Sequence, residues 1–125
     1  MAQKKMPSRL DLRIGGYMGT SYSIVLKRTV LHHITYGAEY VPGKECAVRP
    51  TDEAWTSFLT ALDSLRVWEW RERYDHPGMC DGTSWKVDIV WDNRHIGSSG
   101  SNSFPRVFED YLEAVRALVG GLPFS

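Results

Sequence analysis

The stretch Asp81-Gly82-Thr83-Ser84-Trp85-Lys86-Val87-Asp88-Ile89-Val90-Trp91-Asp92-Asn93-Arg94-His95-Ile96-Gly97-Ser98-Ser99-Gly100-Ser101-Asn102-Ser103-Phe104-Pro105 spells turn, strand, hairpin, polar loop and helix start in succession. Trp85, Val87, Ile89 and Trp91 alternate with Ser84, Lys86, Asp88 and Val90, the period of two that a strand with one buried face requires. Asp92-Asn93 suits a two-residue hairpin turn, because both side chains tolerate positive φ, and Arg94 to Ile96 begin the returning strand. Gly97 to Ser103 contains only Gly, Ser and Asn and reads as a loop. Phe104-Pro105 then opens a helix with inner face Phe108, Tyr111, Leu112, Val115, Leu118 and Val119, closed by Gly120-Gly121.

Towards the N-terminus, Leu10, Leu12 and Ile14 alternate with Arg9, Asp11 and Arg13, and residues 21 to 27 and 30 to 36 carry the same period. Short connections make these three strands an antiparallel meander. Residues 37 to 50 hold two Pro and two Gly without a period and read as a long loop, with a short extended piece at Cys46 to Val48. Thr51 is placed to cap a helix with Asp52 and Glu53 in its first turn and a stripe of Trp55, Phe58, Leu59, Leu62 and Leu65. Residues 67 to 74, Val-Trp-Glu-Trp-Arg-Glu-Arg-Tyr, read as extended or irregular.

The expected fold is therefore α+β, in the order β-β-β-α-β-β-α, with one antiparallel sheet of about five strands and two helices packed on one face. A chain of 125 residues makes one domain, residues 1–125, with residues 1–8 as a flexible N-terminal arm.

Composition narrows the function classes. At 42% apolar and 24% charged the chain has ordinary globular usage, which argues against a disordered tail or a coiled coil. Fifteen basic and fifteen acidic residues cancel, so no overall field draws the chain to nucleic acid or an anionic membrane. A local cluster at Lys4, Lys5, Arg9 and Arg13, with Lys27 and Arg28, is the one feature that would contact phosphates; its plain reading is a solvated surface. Cys46 and Cys80 lack CxxC spacing, and the N-terminal positive charges have no apolar run behind them, so a reducing cytoplasm is the expected location. No stretch has the length of apolar residues that spans a bilayer.

Two groups of residues are candidates for function. Ser99, Ser101, Asn102 and Ser103 precede a helix start, where unpaired N–H groups and hydroxyls would hold a small anion; a structural connection, with Asn102 or Ser103 capping the helix, is the favoured reading. Trp68, Trp70 and Tyr74 form the second group, because an extended chain places Trp68 and Trp70 on one face as a partner contact or as edge packing. His76, Cys80, Asp81, His32, His33 and His95 lack the paired spacing of a zinc site, and the adjacent His32 and His33 point to opposite strand faces. Ser99 or Ser101 with His95 and Asp81 lacks a Gly-x-Ser-x-Gly elbow. No catalytic residue, metal or cofactor is assigned.

The Trp55 helix stripe, Trp68 to Tyr74, Asp81-Gly82-x-x-Trp85, Ser99-Gly100-Ser101-Asn102, Pro105 and the final amphipathic helix together resemble small uncharacterised bacterial α+β domains with this layout. The resemblance runs from Trp55 to Leu118. It implies the fold class and a bacterial or phage setting, and no activity. The expected function is a non-enzymatic protein-interaction module of the adaptor, immunity or inhibitor type. The alternative is a small-ligand or anion binder using the Gly97 to Ser103 loop, with hydrolytic activity left open.

Overall fold

A computed structural model describes residues 6–16, 20–37, 42–75 and 82–125. Four strands come first: β1 (Arg9–Gly16), β2 (Ser21–Lys27), β3 (Val30–Tyr36) and β4 (Pro42–Val48). Helix α1 (Asp52–Ser64) and a 3-10 turn (Val67–Glu69) follow, then β5 (Arg73–Asp75), β6 (Thr83–Trp91), β7 (Arg94–Ser101) and helix α2 (Phe108–Leu118). The strands form one seven-stranded sheet in the order β4-β3-β2-β1-β6-β7-β5. The β5–β7 pair is parallel and the others antiparallel, so the sheet is mixed.

The expected five-stranded antiparallel sheet is thus corrected in three places. Residues 42 to 48, read mostly as loop, form the edge strand β4; its largely exposed side chains give no alternation for a pattern to reveal. Residues 73 to 75 add a parallel strand too short to carry a period. Strand β7 continues through Gly97 to Ser101, because its turn-forming residues lie between two neighbours that demand small side chains. A Cβ on Gly100 would sit 2.5 Å from the Trp85 indole nitrogen, which donates to the Ser103 carbonyl at 2.9 Å. Ser98 is buried with its hydroxyl donating to the Arg71 carbonyl.

Three local expectations hold, and the start of the last helix does not. Thr51 caps α1 by accepting from the Ala54 N–H at 3.1 Å, and Trp55, Phe58, Leu59 and Leu62 are buried. Asp92 takes the left-handed conformation of the β6–β7 hairpin turn, φ 55°. Gly120 closes α2 at φ 69°, with Gly120 and Gly121 donating to the carbonyls of Ala117 and Arg116, the bonding pattern of a Schellman end. Helix α2 starts three residues beyond Pro105, on Phe108, and its first turn has no side-chain cap, so neither Asn102 nor Ser103 caps it.

Both helices cover one face. Helix α1 packs Trp55 and Phe58 against Trp91 with ring centroids 5.9 and 6.4 Å apart, and α2 sets Phe108 4.9 Å from Trp85. Leu10, Leu12, Ile14, Ile24, Leu31, Val87 and Ile89 complete that face from the sheet. The segment after α2 extends the cover over β3: Phe124 is buried, the buried His33 ring donates through Nε2 to the Pro123 carbonyl at 2.6 Å, and Arg116 donates to the Phe124 carbonyl at 3.0 Å. Residues 6–8, expected in a flexible arm, are held, since Ser8 donates its N–H to Val90 at 2.9 Å and Pro7 is buried.

Candidate functional site

Among the described residues no helix covers the opposite face of the sheet, and alternation delivers the polar halves of the strands to it. Strand β1 contributes Arg9, Asp11 and Arg13, and β6 contributes Lys86, Asp88 and Val90. Register then sets like charges opposite each other: Arg13 faces Lys86 and Asp11 faces Asp88 across the β1–β6 pair. Such pairs repel. The repulsion is offset by neighbours along the strand and on the diagonals: Asp11 receives Arg13 of its own strand at 3.1 Å and Lys86 at 3.6 Å, while Asp88 receives Arg9 at 2.8 Å and His95 at 3.1 Å.

The two signs sit at different depths. Asp11 and Asp88 expose 19% and 12% of their side chains, against 64% for Arg9, 58% for Arg13 and 45% for Lys86. The carboxylates form a floor and the cations stand over it, so solvent meets positive charge although the chain is neutral. The hydrogen bond to Asp11 pushes the Arg13 guanidinium above its ordinary value; burial opposes this, and the negative charge of Asp11 adds to it.

Two hollows open on this side. The larger, about 580 Å³, lies where β1 and β2 approach their hairpin and β6 begins; Arg13 and Lys86 line it with Ser21, Ser23, Ser84, Ser101, Asn102 and Tyr36. Gly15 is required here, because a Cβ would fall 2.1 Å from the Ser21 hydroxyl oxygen. The smaller, about 320 Å³, holds Glu72, Arg73, Asp88, His95 and Ser99, and shares Lys86 with the first.

The structure thereby divides the residues singled out by sequence. Ser101 and Asn102 reach the larger cleft and Ser99 the smaller. Ser103 lines neither and gives its carbonyl to Trp85. Ser99 and Ser101 belong to β7, so the expected loop at a helix N-terminus does not exist in that form. Asn102, at φ 56°, accepts from the Thr83 N–H at 3.1 Å and closes the β6–β7 ladder.

Trp68 and Trp70 do not share a face, because the 3-10 turn separates them. Trp68 is half-buried, donates to Asp63 at 2.8 Å and lies 4.6 Å beneath the Arg94 guanidinium, which itself pairs with Asp63 at 2.7 Å. Trp70 instead packs 5.9 Å from Trp85 and 5.3 Å from Tyr111. Tyr74 is buried under Arg71, 5.6 Å from Trp85, and accepts from the Arg71 N–H at 3.1 Å.

Lys86 and Tyr36 are site residues that sequence reading did not single out, and Arg13 figured there as a candidate only in a basic cluster with Lys4, Lys5 and Arg9, although the complementary order of Arg9-x-Asp11-x-Arg13 and Lys86-x-Asp88 was available as a signal. His76, Cys80, Asp81, Lys4 and Lys5 lie outside the described residues. Among the described residues no group of three His, Cys, Asp or Glu is placed to hold a metal ion, and no helix is long and apolar enough to cross a membrane. No protein-family model matches the chain, and no curated protein matches it.

Proposed function

We propose that this chain is a non-enzymatic interaction module of bacterial or phage type, of the adaptor, immunity or inhibitor kind, acting in the cytoplasm on an acidic surface of another protein. One observation carries this reading: on the uncovered face the carboxylates are sunk and the cations raised. Their pairing holds the cationic tips in place before a partner arrives, which lowers the ordering cost of docking, and complementary charge favours encounter. The few raised cations and the neutral whole chain favour a protein over a nucleic-acid backbone.

Affinity capture from a bacterial lysate with quantitative mass spectrometry tests this. The double variant Arg9→Gln/Lys27→Gln, with its fold checked by circular dichroism, is expected to lose about tenfold of an acidic partner that wild type and Trp68→Ala retain. A partner kept by the double variant and lost by Trp68→Ala would overturn the assignment to this face. Recovery of nucleic acid in place of protein would overturn the reading.

A further inference from the structure

The larger cleft has more room than its charges alone require. At about 580 Å³ it lies within the range of small-molecule sites, whereas a bare carboxylate or phosphate fills only a few water volumes of roughly 30 Å³ each. Its lining also divides chemically: Arg13 and Lys86 supply charge, Ser23 and Ser101 supply hydroxyls, and Tyr36, which shares their face of the sheet, supplies ring surface.

The cations are not used up by their neighbour. Asp11 is one carboxylate facing two cations, so one positive charge remains among these three groups. Arg13 is held to Asp11 through Nε at 3.1 Å and one terminal nitrogen at 3.5 Å, which leaves its other terminal nitrogen for a further acceptor. The Lys86 ammonium stands 3.6 Å from Asp11, longer than a hydrogen bond, and keeps its donors for a closer oxygen. Ser23 is buried, and its hydroxyl meets the Tyr36 hydroxyl only at 3.5 Å, the long limit of a bond.

We infer that this cleft is a receptor site for one organic anion, a carboxylate or phosphate carried on a ring, with Arg13 and Lys86 on the charged head and Tyr36 beside the ring. The inference rests on the acidic-partner reading in that the same face supplies the cations. The anion belongs either to the partner's own surface or to a free small molecule, and the chemistry of recognition is the same for both.

Phenyl phosphate, inorganic phosphate and phenol serve as probes, titrated into the full chain by calorimetry and by NMR of its backbone amides. Saturable binding of phenyl phosphate is expected, with shifts at Ser21, Ser84, Ser101 and Asn102, and at least about fivefold tighter than inorganic phosphate. Arg13→Gln and Lys86→Gln should each weaken it about tenfold. Ser101→Leu, which fills the cleft without removing a charge, should weaken it similarly, and Arg106→Gln, a charge change elsewhere, should leave it as it is.

Absence of saturable binding up to about 10 mM, or undiminished binding by the Arg13→Gln/Lys86→Gln double variant, overturns the site. Inorganic phosphate binding as tightly as phenyl phosphate, or phenol binding as tightly, overturns the combination of head and ring. Displacement of a captured partner by phenyl phosphate assigns the anion to the partner, and co-binding assigns it to a free molecule. The capture test on Arg9 and Lys27 lies outside the cleft, so that reading and this one fail separately.

Discussion

Leu12 and Asp11 are neighbours in one strand, yet the two faces they serve are built on different principles. On the covered face Leu12, Val87, Ile89 and Trp91 are fully enclosed and specified by volume, each filling space that α1 or α2 leaves. On the uncovered face Asp11 and Asp88 are specified by pairing, and the cations above them remain largely in solvent. The covered face accounts for folding; the uncovered face is free to be shaped by recognition.

The contrast breaks most visibly at Trp91, which has no exposed surface and contacts both Trp55 and Phe58. Trp91→Ala should cost about 3–5 kcal/mol in urea denaturation, because its cavity lies between two rings that cannot close it. A smaller step is Gly100→Ala, which drives a Cβ against the Trp85 indole and the Ser103 carbonyl. It should cost about 1–3 kcal/mol and change the Trp85 fluorescence. Least of all, Asp88→Asn should cost under about 1 kcal/mol and lose even that in high salt, since its partners Arg9 and His95 are mostly solvated. A loss at Asp88 comparable with that at Trp91 would show that the two faces are equally structural, and would remove the distinction.

Legibility followed the same division. The alternation of β6, the α1 stripe with its Thr51 cap and the Gly120-Gly121 end were readable because each is a local pattern tied to one buried face. Strand β4 was not, since an edge strand with mostly exposed side chains has no hidden set to alternate. Gly97 to Ser101 look like a loop by composition; only the Trp85 ring over Gly100 and the Arg71 carbonyl over Ser98 explain why small residues belong in a strand there.

The candidate site was half readable. Ser101 and Asn102 were in view, but as a helix-terminus loop. Arg13 and Lys86 were visible only as surface charges, because nothing local in either segment says that β1 lies beside β6.

The contact between His33 and Pro123 ties the first half of the sheet to a segment 90 residues further along the chain. A chain emerging from its N-terminus presents β1 to β4 early, and these can pair from local contacts alone. The interior side of β3 then waits for residues 122 to 124, and the free edge of β1 waits for β6. Strands β1 to β4 without the later segments would be an open sheet with an apolar side and an unsatisfied edge, the kind of surface that invites association with other chains.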